Sequence, residues 1–181
     1  MKNPLSEFSI PLLGLKKDSY SFDFQLDKSF FTAFEDSSIQ EGDIKVTLEL
    51  ERKTGHLELI FDFEGTVKSD CDRCTASINL PVDGQEKIIA KYSEETQEDE
   101  DEIIFIHPET SELNVAQYIY EFVNLAIPIR KVYDCENDEK PPCDFGTLAF
   151  LEQQNAVTDN NDDDEDDDLT TWNALKNLNI N

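Results

Sequence analysis

The chain has 181 residues, enough for one domain with a hydrophobic core and some appended segments. It carries 41 Asp and Glu residues against 15 Lys and Arg residues, which gives a net charge of -26. That balance opposes broad electrostatic attraction to nucleic acid, because phosphate binding depends largely on Lys and Arg. It favours a basic partner, or a local contact made against an unfavourable field.

Two acidic runs, residues 94–102 and 159–168, hold much of this charge. The like charges within each run repel one another, and each run has little apolar area to bury, so we interpret both as disordered or solvated segments. The alternative is that the two acidic runs form a decoy surface for a basic partner. The sequence shows no signal-peptide pattern and no apolar stretch long enough to span a membrane, which predicts a cytoplasmic protein with reduced cysteines.

The N-terminal part of the chain predicts antiparallel strands. Residues 5–15 predict a short opening strand. Every second residue of 19–26 is apolar, which is typical of a half-buried strand. Residues 44–52 and 56–65 alternate in the same way on either side of the turn 53–55. This pair predicts a β-hairpin.

The strand pattern continues past the hairpin. Residues 66–74 predict a strand that runs into the first cysteine pair, and residues 78–84 a further strand that ends in a turn. Residues 85–93 and 103–107 predict two more strands, separated by the first acidic run. The middle of the chain is therefore expected to be mostly sheet.

Residues 111–126 change to the period of an amphipathic helix, with Thr110 or Ser111 as the cap and Pro128 as the stop. Its apolar face comprises Val115, Tyr118, Ile119, Phe122, Val123 and Ala126. The elements together predict the α+β class, an antiparallel β-rich curved sheet or small barrel with one main amphipathic helix. A disordered acidic linker and a short C-terminal helix are expected to follow.

The predicted organisation is a single β-rich domain over residues 1–153, an acidic linker over 154–168 and a docking element over 169–181. Apolar residues recur every three positions in the last segment: Leu169, Trp172, Leu175 and Leu178. This stripe can dock on a partner, with the Trp as its anchor, or fold back on its own domain.

Four cysteines offer the ligands of one tetrahedral, structural zinc ion: Cys71, Cys74, Cys135 and Cys143. The first pair has the spacing of a zinc knuckle, whereas seven residues separate the second pair, more than the common two to four. Zinc binding, unmetallated thiols, and redox or disulfide chemistry are the three alternatives. Asp70 and Asp72 are expected to raise the pKa of the nearby thiols, which disfavours a reactive thiolate.

The sequence gives no positive argument for an enzyme. His56 follows a turn and His107 precedes a proline, positions typical of ordinary surface histidines. No nucleophile elbow, zinc-protease helix, phosphate-binding loop or dinucleotide fingerprint is present in the sequence. A thiol oxidoreductase acting through Cys71 and Cys74 is the remaining catalytic alternative.

Four segments, taken in this order, resemble the YceD family, also called large ribosomal RNA subunit accumulation protein. They are CDRC (71–74), IYEFVNLAIPI (119–129), CENDEKPPC (135–143) and TWNALKNL (171–178). The resemblance covers most of the chain from residue 44 onward. The second cysteine group departs from the family pattern, which usually has closer cysteines.

The resemblance implies a non-enzymatic role in large ribosomal subunit biogenesis, through accumulation or processing of 23S rRNA. The implied partner is a large-subunit precursor, contacted through its rRNA, its ribosomal proteins or both, with no membrane and no small-molecule substrate. The alternative is an acidic interaction module that binds a basic protein and is unrelated to the ribosome.

A cationic contact surface is predicted if the two cysteine groups come together in the fold. Five basic residues would then gather at one place, for contact with RNA or a partner: Lys68, Arg73, Arg130, Lys131 and Lys140. Scattered surface charge is the alternative to such a surface.

Overall fold

The structure is a computed structural model, which describes residues 4–35, 37–95, 102–135 and 137–158. The strands are β1 (Ser9–Pro11), β2 (Ser19–Leu26), β3 (Gly42–Lys53), β4 (His56–Asp70), β5 (Ser77–Tyr92), β6 (Ile103–Ile106) and β7 (Glu112–Asn114). The helices are α1 (Lys28–Phe31), α2 (Ala116–Ala126) and α3 (Phe145–Thr158), and a short 3-10 helix, Pro4–Phe8, precedes β1. The predicted docking element and most of the predicted linker lie outside the described residues.

The predicted α+β class is confirmed. The described residues build a five-stranded sheet in the order β2-β3-β4-β5-β6, and a separate two-stranded pair of β1 and β7. The large sheet is curved and does not close, so it is the open sheet of the two predicted forms. Its pairs are antiparallel except for β5 and β6, which run parallel.

The predicted hairpin is also confirmed. Lys53 pairs with His56, which leaves Thr54 and Gly55 as the two turn residues. Gly55 has a φ of +87°, a conformation that glycine adopts without steric cost. The turn chemistry and the alternation on both strands therefore specify the same register.

The core lies on one face of the large sheet. Alternate residues of its strands are buried there, and they include Ile44, Val46, Leu48, Leu50, Leu57, Leu59, Phe61, Phe63, Ile88 and Ala90. Leu48 stands opposite Phe61 in the register, and both side chains are fully buried. A strand period of two places all of these side chains on the same side of the sheet.

The turn predicted after residue 84 is wrong, because β5 runs unbroken from Ser77 to Tyr92. Gly84 pairs with Phe63 inside the β4–β5 ladder. A Cβ atom at residue 84 would lie only 2.6 Å from Cζ of Phe63. The glycine therefore makes room for an aromatic ring and does not mark a turn.

The predicted opening strand and helix start both need correction. Residues 5–15 contain the end of the 3-10 helix and only three strand residues, which form β1. β1 pairs with β7, so residues 112–114 are strand, and α2 begins later than predicted. The N-cap of α2 is Val115, which makes no side-chain cap hydrogen bond, so the predicted caps Thr110 and Ser111 are wrong. The amide of Ala116 donates to Oδ1 of Asn114 at 3.1 Å.

Helix α2 packs against β5 and covers part of the sheet. The ring of Phe122 meets Phe61 at a centroid distance of 5.3 Å, and Tyr120 stacks on Phe34 at 4.2 Å. These contacts fix the helix on the buried face. The chain that leaves α2 is thereby delivered to the end of the sheet where β4 turns into β5.

Helix α3 was not predicted. Asp144 accepts the amides of Gly146 and Thr147 at 2.9 and 3.2 Å, so its side chain caps the start of the helix. The helix crosses the predicted boundary at residue 153. Its apolar side chains follow no single face, and Phe145 and Phe150 are exposed. Such a helix gives little periodic signal in the sequence.

Candidate functional site

The first cysteine loop, residues 71–76, joins β4 to β5. The amide of Cys71 donates to the carbonyl of Ala76, and the amide of Thr75 donates to the carbonyl of Cys71, both at 2.8 Å. Cys71 and Cys74 are free thiols and are buried. The loop is thus a closed turn with both sulfurs packed inward.

Thr75 gives this loop an uncommon backbone conformation. Its φ is +59°, the left-handed region that a β-branched residue rarely adopts. Such a conformation costs on the order of 1–3 kcal/mol and persists only where surrounding contacts enforce it. The hydrogen bonds that close the loop provide that enforcement.

The second cysteine loop, residues 130–144, follows α2 and meets the first loop directly. The amide of Asp72 donates to the carbonyl of Lys131, and the amide of Lys131 donates to Oδ2 of Asp72, both at 2.7 Å. The two residues are 59 positions apart in the chain. We call the two loops together the cysteine corner.

The thiol of Cys71 is a further link between the loops. Burial raises its pKa, but amide hydrogen bonds from Tyr133, Arg73 and Cys74, together with the Cys74 side chain, lower it, and the net shift is downward. The expectation that Asp70 and Asp72 raise the pKa is wrong for Cys71, because main-chain donors from both loops outweigh burial.

The second cysteine pair is joined. Cys135 and Cys143 form a disulfide with a Cα–Cα distance of 6.5 Å, within the range for such bonds. Cys143 is buried and Cys135 is half-buried. Sγ of Cys135 lies 3.5 Å from the carbonyl oxygen of Tyr133, the residue whose amide faces Cys71. Both cysteine pairs therefore contact the main chain of one residue.

The described ranges contain no group of three or more His, Cys, Asp or Glu side chains placed to hold a metal ion. In a disulfide the sulfurs of Cys135 and Cys143 bond to each other and are not thiolate ligands. Zinc binding by the full set of Cys71, Cys74, Cys135 and Cys143 stays a prediction. Such binding requires the Cys135–Cys143 bond to be reduced, whereas Cys71 and Cys74 are already free thiols.

A polar cleft of about 620 Å³ lies beside the cysteine corner. Lys68 and Lys131, two of the predicted contact residues, both line it. Glu41, Asp70 and Asp72 line it too, and Lys68 lies 3.5 Å from Glu41. The cleft therefore combines cations and acids, and it has no large excess of positive charge.

The remaining predicted cations are distributed around the corner. Arg73 and Arg130 are exposed on the first and second loops. Lys140 is also exposed, and its amide donates to Oδ1 of Asp138 at 2.9 Å. Neither arginine nor Lys140 lines the cleft beside the corner. The corner thus brings two of the five cations into one cleft.

A second groove, of about 760 Å³, lies between the second loop and the start of β5. The loop lines it with Asp134, Asp138 and Glu139, and with Val132 and Tyr133, whereas β5 contributes the apolar residues Ile78, Leu80 and Pro81. The Tyr133 hydroxyl donates to the carboxylate of Asp138, which raises the pKa of Tyr133 and lowers that of Asp138. This hydrogen bond ties the aromatic ring to the loop, and the groove combines acidic side chains with apolar ones.

Sequence reasoning missed Lys28, which is the third lysine of the cleft. It lies on α1, a four-residue helix capped by Asp27, whose side chain accepts the amides of Ser29 and Phe30. The Asp-Lys-Ser order is a capping signal that could have located this helix. The sequence has no signal that α1 lies beside a loop some forty residues later.

The four predicted docking residues, Leu169, Trp172, Leu175 and Leu178, lie outside the described residues. In the part of the chain that is described, no helix has the length and apolar character needed to cross a membrane.

The sequence model of the family described as "Large ribosomal RNA subunit accumulation protein YceD" matches residues 59–179, which include both cysteine loops and α2. No curated protein and no solved structure matches the chain. The family match covers well over half of the sequence, so the chain belongs to the YceD family, whose name places it in the accumulation of large-subunit ribosomal RNA.

Proposed function

We propose that this chain is a non-enzymatic assembly factor of the large ribosomal subunit that supports 23S rRNA accumulation or processing in the cytoplasm. The observation that carries this proposal is the family match over residues 59–179. The matched region begins within β4 and includes both halves of the cysteine corner. The corner is therefore the first place to look for the contact with a large-subunit precursor.

Neither histidine lines the cleft beside the cysteine corner. Nε2 of His56 lies 3.6 Å from Oε1 of Glu58, on the exposed side of the hairpin end. Nδ1 of His107 accepts the amide of Glu109 at 3.3 Å, within a turn. Each histidine thus has a local partner in a turn or strand end, away from the cysteine corner.

The cleft supplies the proposed contact to RNA or a ribosomal protein, with Lys68 and Lys131 as its central cations. The acids of the cleft offset the charge of its lysines. The lysines would therefore make a few specific contacts with phosphates or acidic groups and would attract nucleic acid only weakly in general. Arg73, Arg130 and Lys140 would extend this contact along the two loops. The acidic remainder of the chain would limit binding to unrelated nucleic acid.

The predicted C-terminal stripe supplies a second proposed contact. Leu169, Trp172, Leu175 and Leu178 would dock on an apolar groove of the precursor. The acidic segment before them would act as a tether and raise the local concentration of the docking element.

Sedimentation of cell extract tests the proposed function. We expect the protein to migrate with large-subunit precursors, and we expect the charge reversals Lys68→Glu and Lys131→Glu to move it toward the light fractions. Lys91→Glu makes the same charge change at the far end of β5, opposite His56, and is the matched control. A wild-type protein found only in the light fractions contradicts the proposal.

The three acids of the second groove favour one second candidate, a module that binds a basic protein unrelated to the ribosome. Asp134, Asp138 and Glu139 offer that protein an anionic surface. Affinity purification with identification of both the protein and the RNA separates the candidates. Recovery of a single basic protein without rRNA or ribosomal proteins supports this alternative.

A further inference from the structure

Strand β2 forms one edge of the five-stranded sheet. It pairs with β3 along its whole length of eight residues, Ser19–Leu26. In the part of the chain that the structure describes, no strand pairs with its other side. The opposite edge strand, β6, has only four residues. The longer of the two edges of this sheet is therefore β2.

The register of the β2–β3 ladder shows which main-chain groups of β2 point outward. The amide of Arg52 donates to the carbonyl of Asp18 at 2.8 Å, and this pair continues the register of the ladder. Across an antiparallel pair, residues that bond to the partner strand alternate with residues whose groups point away from it. The outward groups are therefore those of Ser19, Ser21, Asp23 and Gln25. No described main-chain group bonds to them.

Proteins usually blunt an edge strand with proline, lysine or a bulge, because the unpaired amides and carbonyls can pair with another chain. Neither proline nor lysine occurs in β2, and its register with β3 runs without a bulge. Its one charged residue is Asp23. The edge is therefore open to a further strand, provided that this strand suits a nearby carboxylate.

The core face of β2 favours apolar residues on such a strand. Tyr20, Phe22 and Phe24 alternate along this face, and all three are half-buried. The ring of Phe24 stacks on Phe8 at a centroid distance of 5.3 Å. Cross-strand pairs of aromatic and β-branched side chains stabilise a sheet. Apolar residues of a further strand would extend the core along this row.

The outer face beside the same edge favours cations. Glu49 and Glu51 of β3 stand opposite Ser21 and Ser19 in the register. The charged side chains on the outer face of the two strands are four acids and two lysines: Asp23, Asp43, Glu49, Glu51, Lys45 and Lys53. Lys53 lies 2.6 Å from Glu51, so that acid already has a cationic partner. Lysine or arginine on a further strand could reach the remaining acids diagonally.

We propose that the free edge of β2 binds an extended segment of a basic protein, in which apolar residues alternate with Lys or Arg. The segment would add a strand to the sheet, with its apolar residues beside Phe22 and its cations beside Asp23 and Glu49. The net charge of -26 opposes a second copy of the chain at this edge. No residue of β2 lines the cleft beside the cysteine corner, so failure of this proposal would leave the assembly-factor role untouched.

Titration of the full-length chain with a synthetic peptide of alternating valine and lysine, as long as β2, tests the proposal at physiological salt. We expect binding that slows hydrogen exchange at the amides of Ser21, Asp23 and Gln25. The even-numbered amides already bond to β3 and should change less. A control peptide with its valines grouped together and its lysines grouped together has the same charge, and it should bind about tenfold more weakly.

Three variants locate the contact. Ser21→Pro removes an outward amide but no hydrogen bond to β3, and it should weaken peptide binding about tenfold. Ser21→Thr keeps that amide and is the matched control, with an expected change of less than about twofold. Asp23→Lys leaves the main chain intact and reverses the charge. It should also weaken binding about tenfold, and it tests the edge even where the proline variant does not fold.

Equal binding of the two peptides overturns the proposal, since general charge attraction would then account for the affinity. Peptide binding without slower exchange at Ser21, Asp23 and Gln25 overturns it as well. Slow exchange at these amides before peptide is added, together with a dimer in sedimentation equilibrium, would assign the edge to a second copy of the chain. That result also contradicts a basic partner at this edge.

Discussion

The β3–β4 hairpin and the cysteine corner are built in different ways. The hairpin is one continuous segment, in which a two-residue turn and alternating apolar side chains specify each pairing. The corner joins two loops through hydrogen bonds such as the pair between Asp72 and Lys131, residues 59 positions apart, in which one bond is main chain to main chain and the other is accepted by the Asp72 carboxylate. The hairpin therefore depends on burial and the corner on a few directed contacts, and substitutions should affect the two regions differently.

Truncation of a core ring should have the largest effect. Phe61 is fully buried in β4 and contacts the ring of Phe122. Phe61→Ala should lower the free energy of unfolding by about 3–5 kcal/mol, because it loses apolar burial and leaves a cavity. Urea denaturation followed by circular dichroism measures this. A loss below about 1 kcal/mol would show that the sheet face is not the core.

Overpacking inside β5 should have the next largest effect. Gly84→Ala places a Cβ atom against the ring of Phe63 and should cost about 1–3 kcal/mol of unfolding free energy. The double variant Gly84→Ala with Phe63→Leu should recover part of that loss, because the smaller side chain leaves room. The same urea titration measures both. An unchanged midpoint for Gly84→Ala would contradict the unbroken strand.

Loss of the link between the cysteine loops should cost less stability but change the corner locally. Asp72→Ala removes the acceptor of the Lys131 amide and should cost about 1 kcal/mol. Hydrogen exchange should then rise in residues 131–135, while the β3–β4 amides keep their protection. Asp70→Ala, at the end of β4, is the control. Equal exchange in both variants would show that the Asp72 contact does not hold the second loop.

The cap of α1 should have the smallest effect. The Asp27 side chain accepts the amides of Ser29 and Phe30, and Asp27→Ala should cost about 1 kcal/mol or less. The Ser29 hydroxyl is the largest cause of the lowered Asp27 pKa, which lies below its ordinary 3.8. The stabilisation is therefore present above that value and is lost as the pH falls through the lower folded-state pKa.

Comparison of wild type and Asp27→Ala across pH 2–6 checks this sign. The difference in their unfolding free energies should be largest near pH 6 and should shrink toward pH 2. A difference that grows as the pH falls would contradict the capping role of the carboxylate.

The sequence predicted what depends on local pattern. The hairpin and the buried positions of β3 and β4 follow from a strand period of two. The sequence predicted a turn after residue 84, because a glycine that accommodates Phe63 looks the same as a turn glycine. The start of α2 was missed because the pairing of β1 with β7 overrides the helical period of residues 112–114.

Only part of the candidate site could be predicted from the sequence, for a similar reason. The cysteines and Lys68 and Lys131 were named from their residue type and spacing, and the structure brings the loops together. Lys28 was missed, since its place beside the corner depends on the packing of α1 against the sheet. The acids that offset the lysine charges in the cleft, Glu41, Asp70 and Asp72, were also missed. Which charged side chains share a cleft depends on the fold and cannot be predicted from their positions in the sequence.

The ratio of 23S to 16S rRNA in cells that lack the gene tests most directly whether the cysteine corner serves the large subunit. The wild-type chain and the Lys91→Glu control should restore the ratio. A chain with both Lys68→Glu and Lys131→Glu, present at the same level and equally stable, should leave 23S rRNA depleted. Full restoration by that double variant would contradict the account.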